Sequence, residues 1–575
     1  MDWRKSYDVW LEHVTDAERE ELLRVTDEGE LVDRFYKELE FGTAGLRGTM
    51  DLGTNRMNVY IIKRATHGLA QYLKTKKNAA SRGVAIAYDS RHNSAEFAKA
   101  AALVLCANGI KTYLYSTLHS VPQLSFSVLE LNCIAGIVIT ASHNPPAYNG
   151  YKVYNEFGGQ LNPKDSLLVT EEINNVELFS VPSVNEREAL TNGLLNYIAS
   201  ELDDIYYKKT EQLLLNRELI KNHGDQLTVV YTPLFGTGYV PVTTMLSRVG
   251  FKNLSVVSEE SAPNGDFPTV KAPNPEDKNA FTLAFNLAHN IDADIVLATD
   301  PDADRLGVAI KRGMDYEVLT GNEIGILLMN YVLSMKHENE SLKKNSIVVE
   351  SIVSTPLAAL IARSFGVRLL NVLTGFRFIS EMIETCERTR MHEFVFGFEE
   401  SYGFLVGNVS RDKDGICASM LIAEAALYYK LKGMTLADAL EEIYKEHGYF
   451  DERVKSYTLT GIDGLNRIAG TMAALRIMGG SMLAGEKVRV FEDYKTGLRT
   501  MYLSSSIDED IGLPTADMLR YILPDDSIIC IRPSGTEPKL KIYISVRGKD
   551  KDDLKIKSDA LCQKLFEFLN NMLNK

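Results

Sequence analysis

The chain has 575 residues, 45% of them hydrophobic and 24% charged, with a formal net charge of −14. That is the composition of an ordinary globular protein, long enough for about four domains of roughly 150 residues, and its acidic balance excludes a general nucleic-acid or membrane-surface binder. It does not exclude a small anionic substrate held by a local cluster of arginines.

In chain order, "MDWRKSYDVWLEHVTDAERE" predicts a polar amphipathic helix with no signal-peptide core. "GVAIAYDS" reads as a buried strand and "SAEFAKAAALVLCANG" as a helix with a Ser start and a Gly stop. "KTYLY", "PQLSFSVLELN" and "CIAGIVITAS" follow as strand, helix and strand, the last running into Ser142. The same grammar returns in "LTVVYTPL", "GYVPVTTMLSRVG", "LSVVSE", "NAFTLAFNLAHN" and "ADIVLATD", ending at "DPDADR". "SMKHENESLKKN", Ser334 to Asn345, reads as a surface loop. A third round runs through "SIVVESIVST", "PLAALIARSFG", "VRLLNVLTG", "FRFISEMIETCERT" and "EFVFGFEES". Alternating strands and helices predict parallel sheets covered on both faces, with ligands beyond the carboxyl ends of the strands. The three terminal loops are therefore expected to converge on one cleft.

The tail differs. "SIICIRPSGTEPKLKIYISVRG" predicts two strands joined by a Gly-containing loop, with Leu540, Ile542, Ile544 and Val546 alternating with Lys541, Tyr543 and Ser545, the period of a half-exposed strand. With the helix "DDLKIKSDALCQKLFEFLNNMLNK" it forms a smaller α+β domain. Cys106, Cys133, Cys386, Cys417, Cys530 and Cys562 form no CxxC pair, which predicts reduced, buried thiols in a cytoplasmic protein. No apolar run approaches the roughly 20 residues of a membrane span.

Asp300, Asp302 and Asp304 stand at i, i+2 and i+4, a spacing that can turn three carboxylates around one hard divalent cation. The stretch is no EF-hand, because Arg305 and Lys311 replace the Gly and Glu that such a loop needs. Three carboxylates without a full cage suit Mg²⁺, and Arg305 beside them can grip a phosphate as a fork. An aspartyl-phosphate phosphatase with Asp300 as nucleophile is the competing reading, disfavoured by the third carboxylate, Asp304. Ser142 follows an apolar strand, yet a serine is a weak nucleophile without a base or a metal. His143 is adjacent, and adjacent side chains on an extended chain point apart, so a Ser-His hydrolase pair is not expected. No G-x-S-x-G elbow is present. A phosphoryl group on Ser142, its oxygens beside a metal at the triad, is the alternative, with Lys152 of the same loop system as an acid/base once its pKa is lowered.

"TASHNPPAYNGYK", "DPDADR", "GFEES" and "RPSGTEPK", in this order and at these separations, resemble the α-D-phosphohexomutases, the family of phosphoglucomutase and phosphomannomutase. The likeness spans nearly the whole chain from "FGTAGLRG" onward. It looks most like the branch of bacterial phosphoglucomutases and eukaryotic phosphopentomutase-like enzymes. The resemblance implies three successive α/β domains of similar topology, with mixed or parallel sheets, and a smaller C-terminal α+β domain around a central cleft. Residues 1–204 would carry the phosphoserine loop, 205–316 the metal loop, 317–448 the sugar loop and 449–575 the phosphate loop. Ser142 would be the phosphoserine, and Asp300, Asp302 and Asp304 would bind one Mg²⁺ together with a phosphoserine oxygen. Arg47, His143 and Lys152 would assist proton transfer or orient the phosphoryl group. Arg305, Thr374, Arg377, Glu399 and Ser401 would contact the sugar phosphate. Arg532, Ser534, Gly535 and Thr536 would hold its non-reacting phosphate.

The activity so implied interconverts glucose 1-phosphate and glucose 6-phosphate, with glucose 1,6-bisphosphate as intermediate and activator. The acidic pair in "GFEES" favours glucose, although Phe398 interrupts the family pattern; mannose and pentose phosphates are the alternatives. A catalytically silent sugar-phosphate binder is the remaining rival. The expected protein is a monomer or weak dimer whose partner is a small sugar phosphate, with closure of the last domain excluding water.

Overall fold

The computed structural model describes residues 2–42, 45–459, 461–502, 506–534 and 539–574. Two compact units divide the chain, Met1–Ile347 with Phe376–Ala437 and Val348–Gly375 with Asp438–Lys575.

The first unit opens with helices Trp3–His13, Asp16–Arg24 and Glu28–Phe35. The single amphipathic helix expected over the first twenty residues is two helices. Thr15 and Glu18 form a capping box that starts the second, satisfying backbone donors that a continuous helix would not expose. Trp10, 1% exposed, packs edge-on against Phe35, Tyr60 and Phe179.

The first repeat builds a six-stranded sheet from β1 (Leu46–Thr49), β2 (Val84–Tyr88), β3 (Thr112–Tyr115), β4 (Ala135–Ile139), β5 (Tyr148–Asn155) and β6 (Leu195–Ile198), in the order β1-β5-β4-β2-β3-β6. β2, β3, β4 and β6 run parallel, and the apolar runs of β2 and β4 are buried because helices cover the sheet. Helices Val59–Lys74 and Ser94–Ala107 bury Leu69, Leu73, Ala98 and Leu105 against Ile86 and Ile137. Helix Ser94–Ala107 does start at the predicted serine, but Ser94 Oγ does not cap it; the hydroxyl donates to Asp89 Oδ1. The sheet is mixed rather than purely parallel. β5 returns antiparallel beside β4, and β1 pairs antiparallel on its far side.

The second repeat repeats this logic. β7 (Thr228–Thr232), β8 (Asn253–Val256) and β9 (Ile295–Thr299) are parallel, and β10 (Leu306–Arg312) and β11 (Asp315–Val318) return antiparallel, giving the order β11-β10-β9-β7-β8. In the third repeat, β12 (Ser346–Ser351) straddles the division between the units, and β13 (Arg368–Val372) lies in the second. The hairpin of β14 (Glu393–Glu399) and β15 (Gly403–Val406) belongs to the first unit, as do helices Gly321–Glu338, Phe376–Thr389 and Gly415–Leu431. Ser334 to Glu338, expected as loop, is the end of the helix Gly321–Glu338, which buries Met335. Each repeat thus ends in a strand, a polar turn and an antiparallel return strand, which fixes both ends of each turn.

The second unit contains more strand than the sequence indicated. A seven-stranded antiparallel sheet comprises β16 (Tyr449–Thr458), β19 (Val490–Asp493), β20 (Leu498–Tyr502), β21 (Ser506–Asp510), β22 (Leu519–Ile522), β23 (Ile528–Pro533) and β24 (Lys539–Gly548) in the order β16-β24-β23-β22-β19-β20-β21, with β17 (Met482–Leu483) and β18 (Glu486–Lys487) as a short side hairpin. Leu540, Ile542, Ile544 and Val546 face a core shared with Leu561, Leu565 and Leu569 of helix Lys551–Leu573. Tyr543 and Ser545, expected half-exposed, are each 7% exposed, because β24 is an inner strand between β16 and β23. All six cysteines are buried and unbridged. No helix among the described residues is long and apolar enough to cross a membrane.

Candidate active site

β4 ends at Ile139 and β5 begins at Tyr148, and Ser142 lies in the turn between them. Its φ is +51°, a left-handed conformation that an L-residue adopts only when its surroundings impose it. Its N–H donates to Thr140 Oγ1 at 2.8 Å, and Thr140 Oγ1 donates to Asp302 Oδ2 at 3.2 Å. Ser142 Oγ donates to Asp300 Oδ2 at 2.6 Å. The expectation that Ser142 and His143 point apart fails here, because a left-handed residue breaks the alternation of an extended chain. His143 Nδ1 lies 3.3 Å from Ser142 Oγ. Burial, and then the charges of Arg305 and Arg47, hold the His143 pKa well below 6.5, which keeps the imidazole neutral.

The turn after β9 carries the triad. Asp300, Asp302 and Asp304 are 0%, 0% and 2% exposed, and each offers an oxygen within 4.8 Å of the others. Ala303, at φ +51°, turns the chain between them. Asp300 Oδ1 accepts from the Arg305 N–H at 3.0 Å. Oδ1 of Asp302 and Oδ1 of Asp304 are buried with no hydrogen-bond partner among the described residues. Buried carboxylate oxygens left in this way fit a hard divalent cation. Burial, then repulsion from its two neighbours, pushes the Asp300 pKa well above its usual value. Burial acts in the same direction on Asp304, but Lys413, Lys152 and Arg305 outweigh it and lower that pKa.

Lys152 is not on the loop. It lies on β5 opposite Val138, with Nζ 2.8 Å from Asp302 Oδ2 and 3.5 Å from Asp304 Oδ2. Burial disfavours its charge, yet these two carboxylates win and raise its pKa, the reverse of the lowering expected for an acid/base lysine. Arg47, on β1 opposite Gly150, donates to Asn144 Oδ1 at 3.0 Å. Arg305 is only partly available as a fork, because one of its amino groups is bound by Glu276; its Nε lies 4.0 Å from Asp300 and 3.9 Å from Asp304.

Glu399 ends β14 and is 6% exposed. Ser401 follows, and Tyr402, at φ +64°, turns the chain into β15. The Leu306 N–H donates to the Tyr402 carbonyl at 3.1 Å, which joins this turn to the triad loop. Arg377, in the first turn of helix Phe376–Thr389, has its pKa lowered by burial against the opposing pull of Glu399 and Glu381.

Lys413, in "RDKDG" before helix Gly415–Leu431, escaped sequence reasoning. Its Nζ lies 3.1 Å from Asp304 Oδ2 and 3.3 Å from Asp412 Oδ1. Asp412 Oδ2 accepts from Tyr154 Oη at 2.9 Å and Gln160 Nε2 at 2.8 Å, and Asp414 caps the helix. Arg411, Asp412, Lys413 and Asp414 are all buried. Four charges leading into the apolar "GICASMLIAEAAL" were the available signal. Thr140, Glu276 and Arg91 were missed as well. In the second unit, Arg532 Nη1 donates to Thr374 Oγ1 at 2.7 Å and Nη2 to Tyr543 Oη at 3.4 Å. The Ser534 N–H donates to the Lys539 carbonyl at 2.7 Å. Gly535 and Thr536 lie outside the described residues.

Comparison with known proteins matches three family models. They are phosphoglucomutase/phosphomannomutase alpha/beta/alpha domain I over residues 38–179, domain II over 204–313 and domain III over 320–447. A phosphoglucomutase of Staphylococcus saprophyticus is 36% identical over 568 residues, covering 98% of this chain and 100% of its own. One from Staphylococcus haemolyticus is 39% identical over 526 residues, covering 89% and 91%. Among solved structures, the open form of the Paramecium phosphoprotein pp63/parafusin superposes with a TM-score of 0.67 at 17% identity over 92% of this chain and 95% of that one. Aspergillus fumigatus N-acetylphosphoglucosamine mutase, solved with GlcNAc-6P and magnesium, has a TM-score of 0.50 at 12% identity over 100% of this chain and 98% of its own. These two structures show likeness of fold.

Proposed function

The chain belongs to the phosphoglucomutase/phosphomannomutase family, and on that premise we propose that it is a phosphoglucomutase, interconverting α-D-glucose 1-phosphate and glucose 6-phosphate through a phosphorylated Ser142. The observation that carries this reading is the seating of Ser142 Oγ 2.6 Å from Asp300 inside a buried triad of carboxylates. The relatives named phosphoglucomutase and the acidic "GFEES" loop support glucose as the sugar. Asp300 is a poor phosphatase nucleophile, because both its oxygens accept hydrogen bonds, from Ser142 and from the Arg305 amide.

In the proposed cycle, phospho-Ser142 passes its phosphoryl group to the free hydroxyl of the sugar monophosphate. The Ser142 Oγ–P bond breaks and a sugar O–P bond forms. The sugar hydroxyl's proton passes to neutral His143 and on to the departing Ser142 oxygen, 3.3 Å from its Nδ1. The resulting 1,6-bisphosphate turns over, and its other phosphate returns to Ser142 with the proton moving the opposite way. Mg²⁺ held by Asp300, Asp302, Asp304 and a phosphoserine oxygen would neutralise charge on the transferring group. Lys152, kept cationic by its ion pairs, serves as a fixed charge rather than as a base. Arg47 and Arg305 orient the reacting phosphoryl group, Arg377, Glu399 and Ser401 contact the sugar, and Thr374, Arg532, Ser534, Gly535 and Thr536 hold the second phosphate. Residues 1–204, 205–316, 317–448 and 449–575 are the corresponding domains. Ser142→Ala should abolish turnover in a coupled glucose 1-phosphate assay; activity near the parent level would end the phosphoserine reading.

A further inference from the structure

We propose that Arg91, held by Asp89, is the residue that positions the Ser142 loop for phosphoryl transfer; the proposal rests on the reading of Ser142 given above. The geometry is that of a clamp on main chain. Arg91 Nη1 donates to the carbonyls of Pro145 and Tyr148 at 2.8 and 3.0 Å. Its Nη2 donates to the carbonyl of Ser142 at 2.6 Å and to that of Asn144. One guanidinium therefore gathers four main-chain acceptors, from Ser142 itself to the first residue of β5.

No side-chain acceptor of the loop is involved, so the arrangement fixes backbone shape and nothing else. A guanidinium suits it because its donors are planar and rigid, whereas a lysine ammonium is a single point on a flexible stem. Asp89 sets the orientation of the fork. Its Oδ2 lies 3.3 Å from Arg91 Nε, and both side chains are 0% exposed. Its Oδ1 accepts from the Arg91 N–H at 3.0 Å and from Ser94 Oγ at 2.7 Å. The Phe267 ring lies against the guanidinium, 5.0 Å from its centre.

The clamp matters because Ser142 is strained. A non-glycine residue at positive φ is strained and persists only where its neighbours over-determine it. Three ties do so here: the Ser142 N–H to Thr140, the Oγ to Asp300 and the carbonyl to Arg91. The Asp300 tie is to a carboxylate that the proposed cycle shares with a metal, and the Ser142 hydroxyl proton is lost on phosphorylation. In the phosphorylated enzyme the main-chain ties to Thr140 and Arg91 must then keep Oγ aimed. Arg91 is wholly buried behind the loop and cannot reach a substrate, which makes it a positioning residue.

The test uses the full-length Arg91→Lys and Asp89→Asn variants, with Ser142→Ala alongside. For Arg91→Lys we expect kcat to fall about 10²-fold, the loss that a displacement of about 1 Å produces. KM for glucose 1-phosphate should stay within twofold, and the rate of phosphoryl uptake from glucose 1,6-bisphosphate, read by intact mass, should fall in parallel with kcat. A change in fold stability alone would move neither the kcat-to-KM split nor the uptake rate. A folded Arg91→Lys enzyme whose kcat and uptake rate stay within threefold of the parent overturns the proposal, as does a rise in KM that accounts for the whole loss. Should Arg91→Lys not fold, Asp89→Asn, which keeps the clamp but frees its orientation, decides the matter: a fall in kcat of about tenfold at constant KM is expected, and unchanged turnover overturns the proposal. Uptake or turnover by Ser142→Ala would instead show that the reading of Ser142 is wrong.

Discussion

Replacing Lys413 with methionine removes one of the three cations, Lys152, Lys413 and Arg305, that balance the aspartate triad, while keeping an unbranched stem of similar length. Lys413 Nζ is 3.1 Å from Asp304 Oδ2, and the two side chains are 10% and 2% exposed, so water cannot replace the lost charge. Removing one partner of a buried ion pair costs about 3–5 kcal/mol. Lys152 remains 3.5 Å from the same oxygen, which places the loss at the lower end, about 3 kcal/mol. In chelator the melting temperature of the variant should drop by about 3–4 °C, because a unit of roughly 400 residues unfolds with an entropy of about 0.9 kcal/mol/K. A divalent cation at the triad supplies the missing charge, so Mg²⁺ should stabilise Lys413→Met more than the parent, through the linkage of binding to folding. The assay is a thermal melt of both proteins in chelator and across a Mg²⁺ titration. Equal Mg²⁺-induced shifts in the two proteins, or none in the parent, would refute the charge balance drawn here.

Thr140→Val leaves the Ser142 N–H without its acceptor in a buried turn, a loss of about 1–3 kcal/mol, shared between stability and loop position. A fall in kcat of roughly tenfold with KM almost unchanged is expected, that being about 1.4 kcal/mol of barrier. Asp302→Asn removes a carboxylate that Lys152 and Thr140 hold in place; activity should fall, and the Mg²⁺ concentration for half-activation should rise by at least roughly tenfold. Mg²⁺ dependence like that of the parent would argue against the triad as the metal site. Glu424, buried on helix Gly415–Leu431, accepts from the Leu215 and Asn216 amides, and burial outweighs these bonds to raise its pKa from 4.5 to about 7. A raised carboxylate stabilises the fold fully below about pH 4.5 and loses that contribution as pH climbs through about 7, to a total of about 3 kcal/mol. Glu424→Gln, which cannot ionise, should flatten the fall in melting temperature between pH 5 and pH 8, and a variant with the parent's pH profile would contradict the assignment.

What was legible in the sequence is what side-chain pattern encodes. The three apolar strands that lead into "TASHNP", "DPDADR" and "GFEES" had to be buried, because exposed they would leave apolar surface in water, and the change to polar residues marked where each strand gives way to a turn. Asp300, Asp302 and Asp304 were readable for the same local reason, since their spacing lies within one turn. The return strands were harder. "YNGYKVYN" of β5 has no clean alternation and reads as loop, although pairing to β4 fixes Lys152 opposite Val138. The positive φ of Ser142 left no trace in residue type, and it reversed the inference about His143.

Lys413 and Arg91 illustrate a deeper limit. Lys413 matters because a distant turn brings it to Asp304, a meeting that neither segment announces. Arg91 matters because it binds carbonyls that every residue possesses, so its partners carry no sequence signature at all. Residues that do chemistry with their side chains can be found by motif; residues that shape the backbone beneath them become visible only when the main-chain acceptors are accounted for one by one. In this chain that accounting leads from the carbonyl of Ser142 to a buried arginine, which places part of the specification of the Ser142 turn in "DSR", in the turn that follows β2, the strand beside β4.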